Sequence, residues 1–179
     1  MPCGPPKSGM GDLDPLDERR NPALFETLNP RVVMIGLNVA SRSLSGEPFR
    51  NFHDPSPVAN DFKIRFAFME TEFWGAYMTD VIKDLPETQS GRLLKHLREH
   101  PEIIPDHIDR LRSEMADLGH AKPLVLAFGA ATHSILRKHL DTGDYSHLVG
   151  ITHYSHHISK ERYRATVLGQ IATEREPFA

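Results

Sequence analysis

Arg31-Val32-Val33-Met34-Ile35-Gly36-Leu37-Asn38-Val39-Ala40-Ser41-Arg42-Ser43 is the stretch that decides the fold. Val32 to Ile35 form a short apolar run rich in β-branched residues, between Pro30 and Gly36. Such a run predicts a strand buried on both faces, the central strand of its sheet. The run gives way to Gly36-Leu37-Asn38 and then to small polar residues, so the backbone turns and presents Asn38 at the carboxyl edge of the sheet. In open α/β sheets that edge is where ligands bind. Asn38 offers an amide donor pair and a carbonyl acceptor, and can position a water or grip a polar heterocycle without charge. The same residue type also serves simply to cap a helix or to tolerate a left-handed turn.

Outward from this strand the chain alternates strand and helix. Ala76 to Ile82 is predicted as a second strand with Asp80 near its carboxyl end, Pro123 to Phe128 as a third, and Leu148 to Thr152 as a fourth that ends at His153. Between them, apolar residues at helical spacing predict helices. One lies over Ala59 to Glu72 with Asn60 or Asp61 near its start, and one runs from Ser90, as its cap, through His100. Another runs from Pro105 to a stop at Gly119, one from Gly129 through Leu140, and one from Ile158 to Ile171. Pro22, Ala23, Leu24, Phe25 and Leu28 suggest a short helix leading into the first strand. The fold class is therefore α/β, a three-layer α/β/α domain around a central, mainly parallel four-stranded sheet.

At 179 residues with 39% hydrophobic side chains, the chain suits one domain, placed at residues 22–179, with no internal repeat. Residues 1–21, rich in Pro and Gly, read as a flexible arm. A net charge of −3 argues against a broadly basic surface, so any contact with DNA is local. The single cysteine, Cys3, rules out a disulfide framework, a thiolate zinc site and a cysteine-held iron–sulfur cluster. No apolar stretch approaches the roughly 20 residues that span a bilayer, and the start lacks the apolar core of a signal peptide. A cytoplasmic monomer without cofactor is expected.

The loop at residues 40–58 is long and polar, and a loop of this length inside a compact domain is usually functional. Phe49 and Phe52 are its only large apolar groups. A ring there either plugs the loop onto the core or stacks on a flat ligand, and stacking on a base contributes roughly 1–3 kcal/mol. Four strand ends deliver Asn38, Asp80, Gly129 and His153 to one edge, and Gly129 opens a helix whose free N–H groups point above the sheet. His153, His156 and His157, with His147 or an Asp, form a candidate metal set, although no H-E-x-x-H spacing accompanies them. The favoured reading has no metal, with His153 in the site and His156 and His157 exposed.

In these residues the chain resembles the uracil-DNA glycosylase superfamily, and among its branches most of all the mismatch-specific type. Gly36-Leu37-Asn38-Val39-Ala40 stands where those proteins carry G-I-N-P-G. Phe52-His53-Asp54-Pro55, with Ala59-Asn60-Asp61-Phe62-Lys63, is similar to F-x-H-P-A-N-R-F-W-K. Thr79-Asp80-Val81-Ile82-Lys83 is similar to a strand ending T-N-hydrophobic-hydrophobic-K, Phe128-Gly129-Ala130-Ala131 to L-G-x-x-A, and His153-Tyr154-Ser155-His156 to H-P-S-P. The resemblance covers about Val32 to Ile171 in order and departs from the pattern at Val39, Asp80, Tyr154 and His156. It implies a DNA N-glycosylase that hydrolyses the glycosidic bond of a deaminated or modified base in base excision repair.

The resemblance also implies roles. Asn38 positions the attacking water, and His153 stabilises charge on the departing base. Phe52, Asp80, Gly36 and Leu37 bind the base, and Ser41, Gly129 and Ser155 contact DNA phosphates. Asp80 stands where many members have Asn. An ionised carboxylate only accepts hydrogen bonds, so Asp80 suits a base edge rich in N–H donors. Two other readings stay open: a nucleic-acid or nucleotide binding protein that keeps the fold without the chemistry, and a metal-dependent small-molecule hydrolase built on the histidines.

Overall fold

The central strand, β1 (Asn29–Asn38), is flanked on both sides in the computed structural model, which describes residues 19–39, 52 and 60–175. Its neighbours are β2 (Ala76–Ile82) and β3 (Leu124–Phe128), and β4 (His147–Ile151) lies beyond β3, all of them parallel. In register, Gly36 of β1 lies opposite Asp80 of β2, Ile35 opposite Ala127 of β3, and Phe128 opposite Ile151 of β4. The carboxyl ends of all four strands therefore share one edge.

Alternation along each strand divides the core into two halves. Val32, Met34, Leu126, Phe128, Val149 and Ile151 face one helical layer, with α1 (Phe62–Phe68) and α5 (Lys160–Arg175) packed on them through Ile64, Phe68, Tyr163, Val167 and Ile171. Val33, Ile35, Val125 and Ala127 face the other layer, made by α2 (Ser90–Glu99), α3 (Ile104–Asp117) and α4 (Ala130–His139). The buried residues Ile104, Ile108, Leu111 and Met115 of α3 recur at three- and four-residue intervals, the stripe that a half-buried helix requires. This is the three-layer α/β architecture that the alternation of elements predicts, with the sheet parallel throughout. No helix among the described residues is long and apolar enough to cross a membrane.

Several boundaries differ from the expectations, each for a local reason. The segment after Pro22 forms a turn and a 3-10 helix at Phe25–Thr27, closed by the Leu28 N–H on the Phe25 carbonyl at 3.2 Å just before β1 begins at Asn29. α1 is only seven residues long. It stops at Met69, where the chain turns through a positive-φ Glu70 and Thr71 Oγ1 donates to the Phe68 carbonyl at 2.7 Å. Ser90 is the first helical residue of α2 and not its cap, which is Gln89 without a side-chain capping bond. α5 starts later than expected because Ser159 Oγ accepts the Arg162 N–H at 3.2 Å, and it continues to Arg175. α3 does end at the expected glycine: Gly119 takes φ +72°, a backbone that side chains resist, and its N–H closes on the Ala116 carbonyl at 3.0 Å.

Candidate functional site

From β1 the chain moves to β2 on one side, then crosses to β3 on the other, so the strand order reverses around β1. The crevice outside the carboxyl ends of β1 and β3 is the place such sheets reserve for ligands. Gly36, Leu37 and Asn38 stand there on β1, Gly129 follows β3, Asp80 lies on the adjoining strand, and His153 follows β4.

Gly36, Asp80 and Phe52 form one contact. The Asp80 carboxylate leans across the bare backbone of Gly36, so a Cβ at Gly36 would collide with Asp80 Oδ1. The same Cβ would lie 3.3 and 3.4 Å from Cε1 and Cζ of Phe52. Asp80 and Phe52 are each 7% exposed. The Phe52 ring belongs to the core that includes Met34 and Phe128, yet its edge reaches Gly36, so it walls the strand end. Gly36→Ala is expected to destabilise the fold by about 1–3 kcal/mol by overpacking. In a double-mutant cycle, Asp80→Ala should remove much of that penalty by vacating the space. Denaturant unfolding checks it, and strictly additive effects would show that the carboxylate is not what excludes the methyl group.

His153 is held from below and from the side. Gly129, at φ +85°, donates its N–H to the Ile151 carbonyl at 2.8 Å, and the Cβ it lacks would sit 3.5 Å from His153 Cβ. The imidazole stacks on Tyr154, with centroids 4.2 Å apart and planes at 24°, and the Tyr154 ring meets Phe128 edge-on at 5.4 Å. The Ser155 backbone N–H points at His153 Nδ1 at 3.1 Å, and Ser155 Oγ lies 2.8 Å from the same atom. A backbone N–H only donates, so Nδ1 is the acceptor and the neutral ring carries its proton on Nε2. Burial holds His153 below the usual histidine range, which reinforces the neutral form. The result is an uncharged N–H donor at the strand edge. Underneath, the Tyr163 hydroxyl donates to the Thr152 carbonyl at 3.0 Å, and burial raises its pKa so that it keeps that proton.

Asn38 is committed in part to the fold. Its Nδ2 donates to the carbonyls of Val39, Leu85 and Glu87, each at 3.0 Å. Three converging carbonyls accept only the nitrogen end of the amide, so Oδ1 is the atom left to meet a water. The side chain thereby ties β1 to the segment that follows β2. Leu37 turns the other way and packs against the core of the α2–α4 layer, so only its backbone belongs to this edge. Ser155 directs its hydroxyl at His153, while His156 and His157 are exposed. Ser41, Phe49 and the rest of residues 40–59 except Phe52 lie outside the described residues, as do residues 1–18 of the expected arm. Among the described residues, no group of three His, Cys, Asp or Glu side chains could hold a metal ion.

Two features escaped sequence reasoning. Lys63 is buried in α1 and donates from Nζ to the His156 carbonyl at 2.8 Å, with burial lowering its pKa. On the opposite face of β2, Lys83 Nζ meets Thr79 Oγ1 at 2.6 Å and Glu114 Oε2 at 2.7 Å, while Thr79 Oγ1 donates to the same Glu114 oxygen at 2.8 Å. Thr79 and Lys83 stood out only as part of a motif, and Glu114 carried no signal. Neither a family model, nor a curated protein, nor a solved structure matches this chain.

Proposed function

We propose that this chain is a DNA N-glycosylase-like protein that binds DNA at the carboxyl edge of the sheet and hydrolyses the glycosidic bond of a deaminated or modified base. The observation that supports it best is the pairing of a buried carboxylate, Asp80, packed over Gly36 beside the Phe52 ring, with a neutral Nε2–H donor, His153, on the same edge. A base flipped from the stack, at a cost of a few kcal/mol, needs a flat wall, an edge reader and a donor for the charge it carries away. Phe52 supplies the wall and Asp80 reads N–H donors on the base edge. Water adds at the sugar carbon oriented by Asn38 Oδ1, the glycosidic electron pair leaves with the base, and His153 stabilises that anion. The water's proton passes to the nearby carboxylate of Asp80. Ser41 contacts a phosphate without charge, which suits a chain of net charge −3, while the donors of Gly129 and Ser155 are committed to Ile151 and His153.

The test is a screen of oligonucleotides bearing different deaminated or damaged bases, scored for abasic sites; release of at least one base is expected, and wild-type protein inert toward all of them would sink the proposal. Activity should also hold level as pH falls through about 6.5, the ordinary histidine value, and decline only below it. The sign follows from burial: His153 takes up its proton at lower pH than a free histidine, and protonation breaks the Ser155 bond. A rate that instead follows ordinary histidine titration would remove His153 from the donor role.

A second reading, a binding protein without the chemistry, draws support from Asn38, whose Nδ2 is spent on Leu85 and Glu87 carbonyls as a structural tie would be. Tight binding of a damaged oligonucleotide with no abasic product would favour it.

A further inference from the structure

Lys63 carries a burden that its helix does not explain. α1 is seven residues long and Lys63 lies in its first turn, only 6% exposed as a residue. Burying an amine costs free energy unless a strong acceptor receives it. Here the acceptor is the His156 carbonyl at 2.8 Å. That oxygen also accepts the Ile158 N–H at 2.8 Å, and the His156 N–H returns to the His153 carbonyl at 3.0 Å. The turn from His153 to His156 is thus closed on itself by one bond and gripped from α1 by another. Inside the turn lies Ser155, whose N–H and Oγ both meet His153 Nδ1. The direction of that N–H depends on the turn.

α1 is fixed at its other end too, where Arg164 of α5 donates to the Phe66 and Met69 carbonyls at 2.7 and 2.9 Å. A short helix bolted by a cation at each end is a stiff strut. We propose that Lys63 is a positioning residue for His153: its amine holds the 153–156 turn so that the Ser155 N–H meets Nδ1 and the ring's own N–H is left at Nε2. This deepens the reading of His153 as donor to the leaving base and rests on it for its functional meaning. The geometric claim stands on the residues alone.

The experiment follows the His153 ring by long-range proton–nitrogen NMR in wild type, Lys63→Met and Lys63→Arg, with thermal unfolding as the control for folding. Wild type should show Nδ1 unprotonated and Nε2 protonated. In Lys63→Met the ring should populate both tautomers, and its titration midpoint should rise as the Ser155 N–H stops holding Nδ1 unprotonated. Lys63→Arg, which keeps a cationic donor, should retain most of the wild-type pattern. With an active oligonucleotide, Lys63→Met should lower kcat by about tenfold with KM little changed. A folded Lys63→Met protein whose His153 signals match wild type would overturn the proposal. Should that variant not fold, the wild-type amine decides: slowly exchanging Lys63 ammonium protons are expected, and rapid exchange typical of a solvated lysine would overturn it equally. The NMR arms need no substrate, so wild-type protein inert toward every base would defeat the glycosylase reading while leaving this one to be decided by its own signals.

Discussion

Asn38→Ala and Asp80→Ala should each lower base release from the right damaged oligonucleotide by about 10²–10⁴-fold, the usual effect of removing an oriented donor or a catalytic base. Binding to undamaged DNA, which rests on phosphate contacts, should stay nearly unchanged. For Asp80 the expectation comes from its burial against Gly36, where nothing water-borne replaces a missing carboxylate. For Asn38 two effects must be separated, because its Nδ2 also ties β1 to Leu85 and Glu87. Losing that tie should reduce stability by about 1 kcal/mol, far too little to account for a hundredfold rate loss in a folded protein. Asn38→Asp sharpens the distinction: a carboxylate facing three carbonyls has no donor to offer them, so it should be less stable than Asn38→Ala. Rates under single-turnover conditions, set beside melting curves, check all three variants. Full activity in Asn38→Ala would defeat the enzymatic reading and leave the binding protein standing.

The fold was legible where a single local signal sufficed. Val32 to Ile35 could only be an inner strand, Ala76 to Ile82 coincides with β2, and Gly119 ended α3, because apolar periodicity and glycine conformation act within a few residues. Boundaries were missed where a side chain chose between equivalent neighbours, as when Ser159 captured the start of α5 while Ser90 stayed uncapped. At the candidate site, the sequence placed Asn38, Asp80, Gly129 and His153 on one edge. It did not reveal that Asp80 lies over Gly36, since that depends on cross-strand register. Nor did it reveal that Asn38 is tied to Leu85 and Glu87, carbonyls 47 and 49 residues away. Nor did it reveal that Ser155 meets His153 Nδ1 through both its N–H and its Oγ, a contact made by the turn and invisible in composition.

The same logic makes Glu114 the residue whose loss should damage the fold most for a change so far from the edge. Lys83 is 9% exposed and its ammonium is shared between Thr79 and Glu114, whose side chain is 30% exposed. Glu114→Leu leaves a buried cation with one hydroxyl, and breaking a buried pair from one side typically costs about 3–5 kcal/mol. Water reaching the Glu114 end trims this to about 2–3 kcal/mol, which for a domain of this size lowers Tm by roughly 4–12 °C. Lys83→Met alone should cost less, because Glu114 can turn to solvent. The double variant Lys83→Met with Glu114→Leu should recover most of the loss, since two apolar side chains leave no charge to solvate. The pair also clamps α3 against β2, with Thr79 and Lys83 flanking Asp80 along the chain. Glu114→Leu should therefore slow base release as well, and the double variant should restore part of it. Thermal melts and rates across the four proteins of the cycle measure both effects. If the two substitutions simply add, Lys83 and Glu114 do not act as a unit, and the clamp on Asp80 must be sought elsewhere on β2.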